Sequence, residues 1–176
     1  MNRRKFIGAS ILASFGVFLS KCGIPSESKA KSNPVNTKSI KPVVISTWIH
    51  GMEANKTAWE RLKVGDNALN AVEAGVRVTE SDPKNRSVGI GGNPDAAGEV
   101  TLDACIMNHK SECGAVAYLK NIENPISVAR KVMEETPHVL LVGQGALSFA
   151  IEQGFEKKDL LTEEAKADWI KWKESE

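Results

Sequence analysis

The stretch EVTLDACIMN, residues 99–108, constrains the fold more than any other. Its side chains alternate with the two-residue period of a strand. Val100, Leu102, Ala104 and Ile106 take one face; Thr101, Asp103, Cys105 and Met107 take the other. The second face is not simply polar, so the strand is expected to be covered on both sides. Asp103 then sits in the middle of a covered strand. A carboxylate there is costly unless it is hydrogen-bonded or paired, so Asp103 is expected to be a buried group that orders nearby backbone or a pocket.

The neighbouring segments supply further elements. PVVISTW, residues 42–48, is β-branched and reads as a buried strand. A short helix is expected over 54–62, then a longer one in GDNALNAVEAGVRVTESD. In the longer helix Ala68, Leu69, Ala71, Val72, Val76 and Thr79 fall on one side, and Asn67, Asn70, Glu73, Arg77 and Glu80 on the other. The apolar stripe is small, so this helix should lie close on a flat sheet. RSVGIGG reads as a short strand, with its glycines as turn geometry, because no helix follows as a phosphate loop would need. CGAVAYLKNI is the hairpin partner of 99–108. In NPISVARKVMEETP, Asn124 is the expected N-cap, Pro125 suits the first helical position, and Val128, Ala129, Val132 and Met133 form the buried stripe. HVLLVG is a strand, QGALSFAIEQG a helix closed by Gly154, and TEEAKADWIKWKE a helix capped by Thr162. Strands under small-faced helices predict a layered α/β protein.

The first 22 residues read as an export signal: Arg3 and Arg4 precede an apolar run, 6–19, too short to span a bilayer comfortably. The pair of arginines suits a twin-arginine signal and a bacterial periplasmic address. LSKC places Cys22 at a lipoprotein-like site, although Lys21 stands where a small residue is expected. Residues 23–42 are Ser/Lys/Pro-rich and read as a disordered spacer, with the folded domain at 43–176. A net charge of +1 argues against a nucleic-acid partner. Cys105 and Cys113 flank a polar turn; a hairpin disulfide is open to them, and two buried free thiols are the preferred state. His50, His109 and His138 are scattered, and no Cys/His cluster has metal-ligand spacing. No metal or cofactor is expected.

Three segments, STW at 46–48, RSVGIGGNPDAAGEVTLDACIM at 86–107 and IENPISVARKVMEETPHVLLVGQGALSFAIEQGF at 122–155, together resemble the N-terminal half of the glycosylasparaginases. These are N-terminal-nucleophile (Ntn) hydrolases of the type-2 asparaginase group. The resemblance implies half of a four-layer αββα sandwich. It also implies a precursor that cuts itself ahead of a threonine. That threonine attacks the side-chain amide of (glycosyl)asparagine, with its own α-amino group as base. An oxyanion hole stabilises the intermediate, and water releases aspartate.

The residue roles follow from the same resemblance. Trp48 matches a substrate-lining tryptophan, although Ile49 and His50 stand where the family usually has Asn-Phe. Ser87 matches a serine near the nucleophile, and Asp103 an aspartate near the active-site end of the sheet; both are read as active-site support. The family's Asp-Thr cleavage segment is not among these 176 residues, so no catalytic residue is expected in this chain. The polypeptide alone is expected to be inactive. Its expected partner is a C-terminal half carrying the threonine, giving an α/β heterodimer or a dimer of these. An asparaginase or isoaspartyl-peptidase half, or an inactive periplasmic remnant, remain open alternatives.

Overall fold

In the computed structural model residues 41–175 are described. The expected export signal, with Cys22, and all but the last two residues of the spacer lie outside them; Lys41 and Pro42 are exposed and irregular. The element order is α1 (Gly51–Lys63), α2 (Ala68–Glu80), β1 (Leu102–Met107), β2 (Cys113–Leu119), α3 (Pro125–Glu135), β3 (Leu140–Val142), α4 (Gly143–Glu152) and α5 (Glu163–Ser175). Helices around one small mixed sheet make this an α/β protein.

The sheet has the order β1-β2-β3, with β1 antiparallel and β3 parallel to β2. Because paired residues share a face, the register sorts the side chains. Leu102, Ala104, Ile106, Val116, Leu119 and Leu141 face the helices. There Ala104, Ile106, Val116, Leu119 and Leu141 join Val128, Ala129 and Val132 of α3 and Ala146, Leu147 and Ala150 of α4 in one core, while Leu102 packs with Val100 and Leu160 in a second, smaller cluster. Helix α3 starts and stops where Pro125 and Pro137 predict, and Val128, Ala129 and Val132 are fully buried.

The other face is uncovered among the described residues. It carries Asp103, Cys105, Met107, Cys113, Ala115, Ala117, Leu140 and Val142, with Met107 62%, Leu140 50% and Val142 53% exposed. The expectation of a strand covered on both sides is therefore not met among the described residues, and neither is a second sheet stacked on the first. Asp103 is exposed rather than buried.

Two expected strands are not strands. Residues 42–48 have no regular structure, and Val43 and Ile45 are 69% and 83% exposed. A β-branched run forms a strand only where a neighbour takes its backbone bonds, and none is paired with it here. RSVGIGG is a turn because its amides are engaged elsewhere. Ile90 N–H donates to Glu80 O at 2.9 Å and Gly91 N–H to Leu160 O at 2.8 Å. Gly89 has φ +66°, and a Cβ there would stand 1.7 Å from Glu80 O.

Helix α2 lies mainly on another helix, and only Leu69 and Val76 reach the core beneath the sheet. Ala71, Gly75 and Thr79 are buried against α1, where a Cβ on Gly75 would come within 2.7 Å of Ala54 O. Val72, expected in the stripe, is 47% exposed. The outer flank of α2 is tied to α3: Arg130 Nη1 donates to Asn70 Oδ1 and Glu73 Oε2, both at 2.7 Å, and Ser127 Oγ donates to Glu73 Oε1 at 2.6 Å. At α5, Thr162 Oγ1 accepts Ala165 N–H at 3.2 Å, as its capping role requires.

Cys105 and Cys113 are free. Cys105 pairs with Ala115 and Cys113 with Met107, so the two thiols are diagonal neighbours. Diagonal Cβ atoms stand ~7–8 Å apart, too far for a disulfide. Against expectation they are not buried: Cys105 is exposed and Cys113 half-buried.

Candidate active site

Trp48 sits at the end of the irregular N-terminal segment, just before α1, with its indole 67% exposed and its ring 5.7 Å from that of His50. It lines an open pocket of about 420 Å³. Asp103, Ala104 and Cys105 of β1, Thr79 and Glu80 at the end of α2, and Ile126 of α3 line the same pocket. Val88, in the glycine-rich turn, closes one side. The fold thus brings Trp48 and Asp103 together from positions far apart in sequence. Ser87 does not line the pocket: it is exposed, and its Oγ and N–H both donate to Asn85 Oδ1, at 2.6 and 2.9 Å. Its neighbour Val88 is what reaches the pocket.

Asp103 has a definite partner. Its Oδ1 accepts the backbone N–H of Tyr118 at 2.8 Å. Between Leu102↔Leu119 and Ala104↔Val116 the register slips, so Ala117 and Tyr118 together oppose Asp103. This is a β-bulge, and Tyr118 adopts φ +52° to make it, a strained value for a bulky residue. The carboxylate takes the amide that the bulge leaves out of the ladder. Backbone ordering, one of the roles expected of Asp103, is what the bond performs.

The buried carboxylate is instead Glu80, which the helical pattern had put on the polar side. It is 3% exposed. Oε1 accepts Ile126 N–H at 3.1 Å and Oε2 accepts Asn124 Nδ2 at 3.4 Å. Glu80, from another helix, therefore takes the capping role expected of Asn124, whose side chain makes no cap bond and donates to Ser81 Oγ and Glu80 instead. Burial pushes the Glu80 carboxyl up to about 7, although the Ile126 N–H, Asn124 and Arg77 pull the other way. The signal was present in the sequence: Leu69, Val76 and Glu80 fall at i, i+7 and i+11, and Leu69 and Val76 pack on the core.

Among the described residues no cluster of His, Cys, Asp and Glu could hold a metal ion. The pocket offers an indole wall, an imidazole, one exposed carboxylate and one buried acid.

The family model described as Asparaginase matches residues 41–176. The chain belongs to the type-2 asparaginase family. Among curated relatives, the N(4)-(Beta-N-acetylglucosaminyl)-L-asparaginase of Elizabethkingia miricola is 51% identical over 174 residues, 97% of this chain and 49% of the relative. The protein of that name from Rattus norvegicus is 44% identical over 143 residues, 79% of this chain and 39% of the relative. The chain thus spans about half or less of the length of these relatives.

In this asparaginase-family chain the Asp103–Tyr118 bond invites a direct test. Asp103→Ala removes the acceptor and leaves the bulge amide to water. The expected cost is about 1 kcal/mol in urea unfolding, with most of it regained in Asp103→Asn, whose amide oxygen still accepts. Equal losses in both variants would show that charge, not the hydrogen bond, is what matters.

Proposed function

We propose that this chain is the N-terminal half of an amidase of the glycosylasparaginase type. It would act with a C-terminal half that carries the threonine nucleophile, hydrolysing the side-chain amide of (glycosyl)asparagine to aspartate. The observation that carries the reading is the uncovered sheet face. Cys105, Met107, Ala115, Ala117, Leu140 and Val142 make it apolar along its length, and Asp103 and Cys105 carry it into the pocket beside Trp48. An exposed apolar surface of this kind calls for a covering layer. A second sheet from the other half would complete a four-layer αββα sandwich and bring its first residue to the pocket.

The chemistry then divides between the halves. The threonine hydroxyl would attack the amide carbon while its α-amino group takes the proton, and the amine would leave as the acyl-enzyme forms. Water would hydrolyse that ester and release aspartate. From this chain Trp48 offers a flat wall and one N–H donor for the substrate, and His50 lines the same rim. Ser87 and Asp103 would act as support, Ser87 through the turn that holds Val88 and Asp103 through the bulge. The export signal expected at residues 1–22 would send the assembly, an α/β heterodimer or a dimer of these, to the bacterial periplasm, with Cys22 as a conditional lipid anchor. Among the described residues no helix is long and apolar enough to cross a membrane.

The test mixes the chain with a C-terminal half taken from the Elizabethkingia miricola relative and follows aspartate release from N-acetylglucosaminyl-asparagine, asparagine and an isoaspartyl dipeptide. Release from the glycosylated substrate by the mixture, and by neither half alone, is the expected result. A mixture that forms a complex yet releases aspartate only from the other two substrates would overturn the glycosyl assignment.

A further inference from the structure

Helix α5 is charged and exposed along most of its length, with Ala165 buried, and it adds nothing to the main core. It is nevertheless tied at several points to the turn that holds Val88. The tie centres on Arg86, whose side chain is 28% exposed. Its Nη1 donates to Gly91 O at 3.1 Å and to Pro83 O and Thr162 Oγ1 at 3.5 Å. Its Nη2 reaches Glu164 Oε2 and Asp168 Oδ2, both at 3.4 Å. Most of these contacts are long, and their convergence on one planar fork is what makes them a tie. Two independent attachments flank it. Trp169 Nε1 donates to Asp95 O at 3.0 Å, and its ring packs so closely on Gly98 that a Cβ there would stand 3.1 Å away. Gly91 N–H donates to Leu160 O, just ahead of α5, at 2.8 Å.

The same turn is closed on itself by Asn93 N–H to Arg86 O at 2.8 Å, and anchored at its other side by Ile90 N–H to Glu80 O. Val88 lies inside that closed loop and forms one wall of the Trp48–Asp103 pocket. None of the groups that Arg86 bonds to lines the pocket. We propose that α5 is a clamp on the turn that walls this pocket, and that Arg86 is the positioning residue through which the clamp sets the pocket's shape. The kinetic consequence rests on the amidase reading above; the structural one does not. Loosening the clamp should weaken substrate binding and leave the reacting groups where they are.

The experiment has two arms. In the first, the 176-residue chain carries Arg86→Gln or Arg86→Lys. Amides of α5 should exchange about tenfold faster in Arg86→Gln, with those of α3 unchanged. The NMR signals of the Val88 methyls and the Trp48 indole N–H should move with them. Arg86→Lys should restore only part of the protection, because an ammonium lacks the fork. If Arg86→Gln does not fold, the double variant Glu164→Gln, Asp168→Asn removes the partners from the α5 side and should give the same changes. In the second arm, the chain assembled with its C-terminal half should show KM raised about tenfold by Arg86→Gln with kcat nearly unchanged. Unchanged exchange in α5, or faster exchange with the Val88 and Trp48 signals unmoved, would overturn the clamp. Absence of activity in the unsubstituted assembly would overturn the amidase reading, while the first arm still decides the clamp.

Discussion

Gly114→Val should leave the chain unable to fold, and Gly114→Ala should lower its urea midpoint severely. Gly114 lies on β2 where α3 crosses it. A Cβ there would stand 2.2 Å from Ala129 O, 2.5 Å from Met133 N and 2.8 Å from Met133 Cβ. Two of these three are backbone atoms, so no side chain can turn aside. The helix would have to lift from the sheet, opening the core that Val116, Val128 and Val132 fill with no measurable gap to solvent. Overpacking usually costs ~1–3 kcal/mol, and a rigid backbone clash belongs at or above the top of that range. Against a total stability of ~5–15 kcal/mol the loss is decisive. Gly145→Ala is the control. Gly145 lies within α4 with nothing inside 4 Å of its would-be Cβ, so alanine there should stabilise by roughly 0.5–1 kcal/mol. Similar losses at both glycines would refute the close-approach argument.

Glu80→Gln should remove a pH dependence from stability. The carboxyl has a folded-state value of about 7 against an ordinary 4.5, burial being the main cause. Between those values the native protein holds a proton that the unfolded chain has released. Stability from this group is therefore full below about pH 4.5 and falls as pH rises towards 7. The shift corresponds to roughly 3 kcal/mol, or ~10 °C in Tm for a domain of this size. Arg77 and Glu73 on α2, Asn124 and the Ile126 N–H at the start of α3, and His50 and Asp103 across the pocket all face this site. The comparison between wild type and variant isolates Glu80 from them. Melting curves at pH 4.5 and 7.5 should differ for wild type by about that amount more than for Glu80→Gln. Parallel pH profiles would mean that the acid is not what titrates.

Local chemistry made several elements legible from the sequence. Pro125 and Pro137 bound α3, Gly154 ends α4 with φ +85°, and Thr162 caps α5, because each acts on bonds within a few residues. The hairpin of β1 and β2 was legible for the same reason. Residues 42–48 and 86–92 misled because β-branched and glycine-rich composition describes what a strand tolerates, not whether a neighbour exists to pair with it. Asp103 and Glu80 exchanged roles between sequence and structure. The alternation around Asp103 reported an apolar second face correctly, but that face is uncovered among the described residues, so its carboxylate is exposed. Glu80 looked solvated because its burial comes from α3, whose Ile126 lies 46 residues away in sequence and whose N-terminus folds over the end of α2.

The amino-acid sequence alone determined the helices, the hairpin and the family, since these rest on period-two and helical patterning, on caps and on long matched segments. Only the tertiary structure decided that Trp48 and Asp103 share one pocket, that Glu80 is its buried acid, and that Arg86 binds α5 to the turn beside it. Those facts depend on contacts between segments tens of residues apart; apart from the helical spacing that aligns Glu80 with Leu69 and Val76, hydrogen-bond partners at that separation leave no periodic trace in a chain.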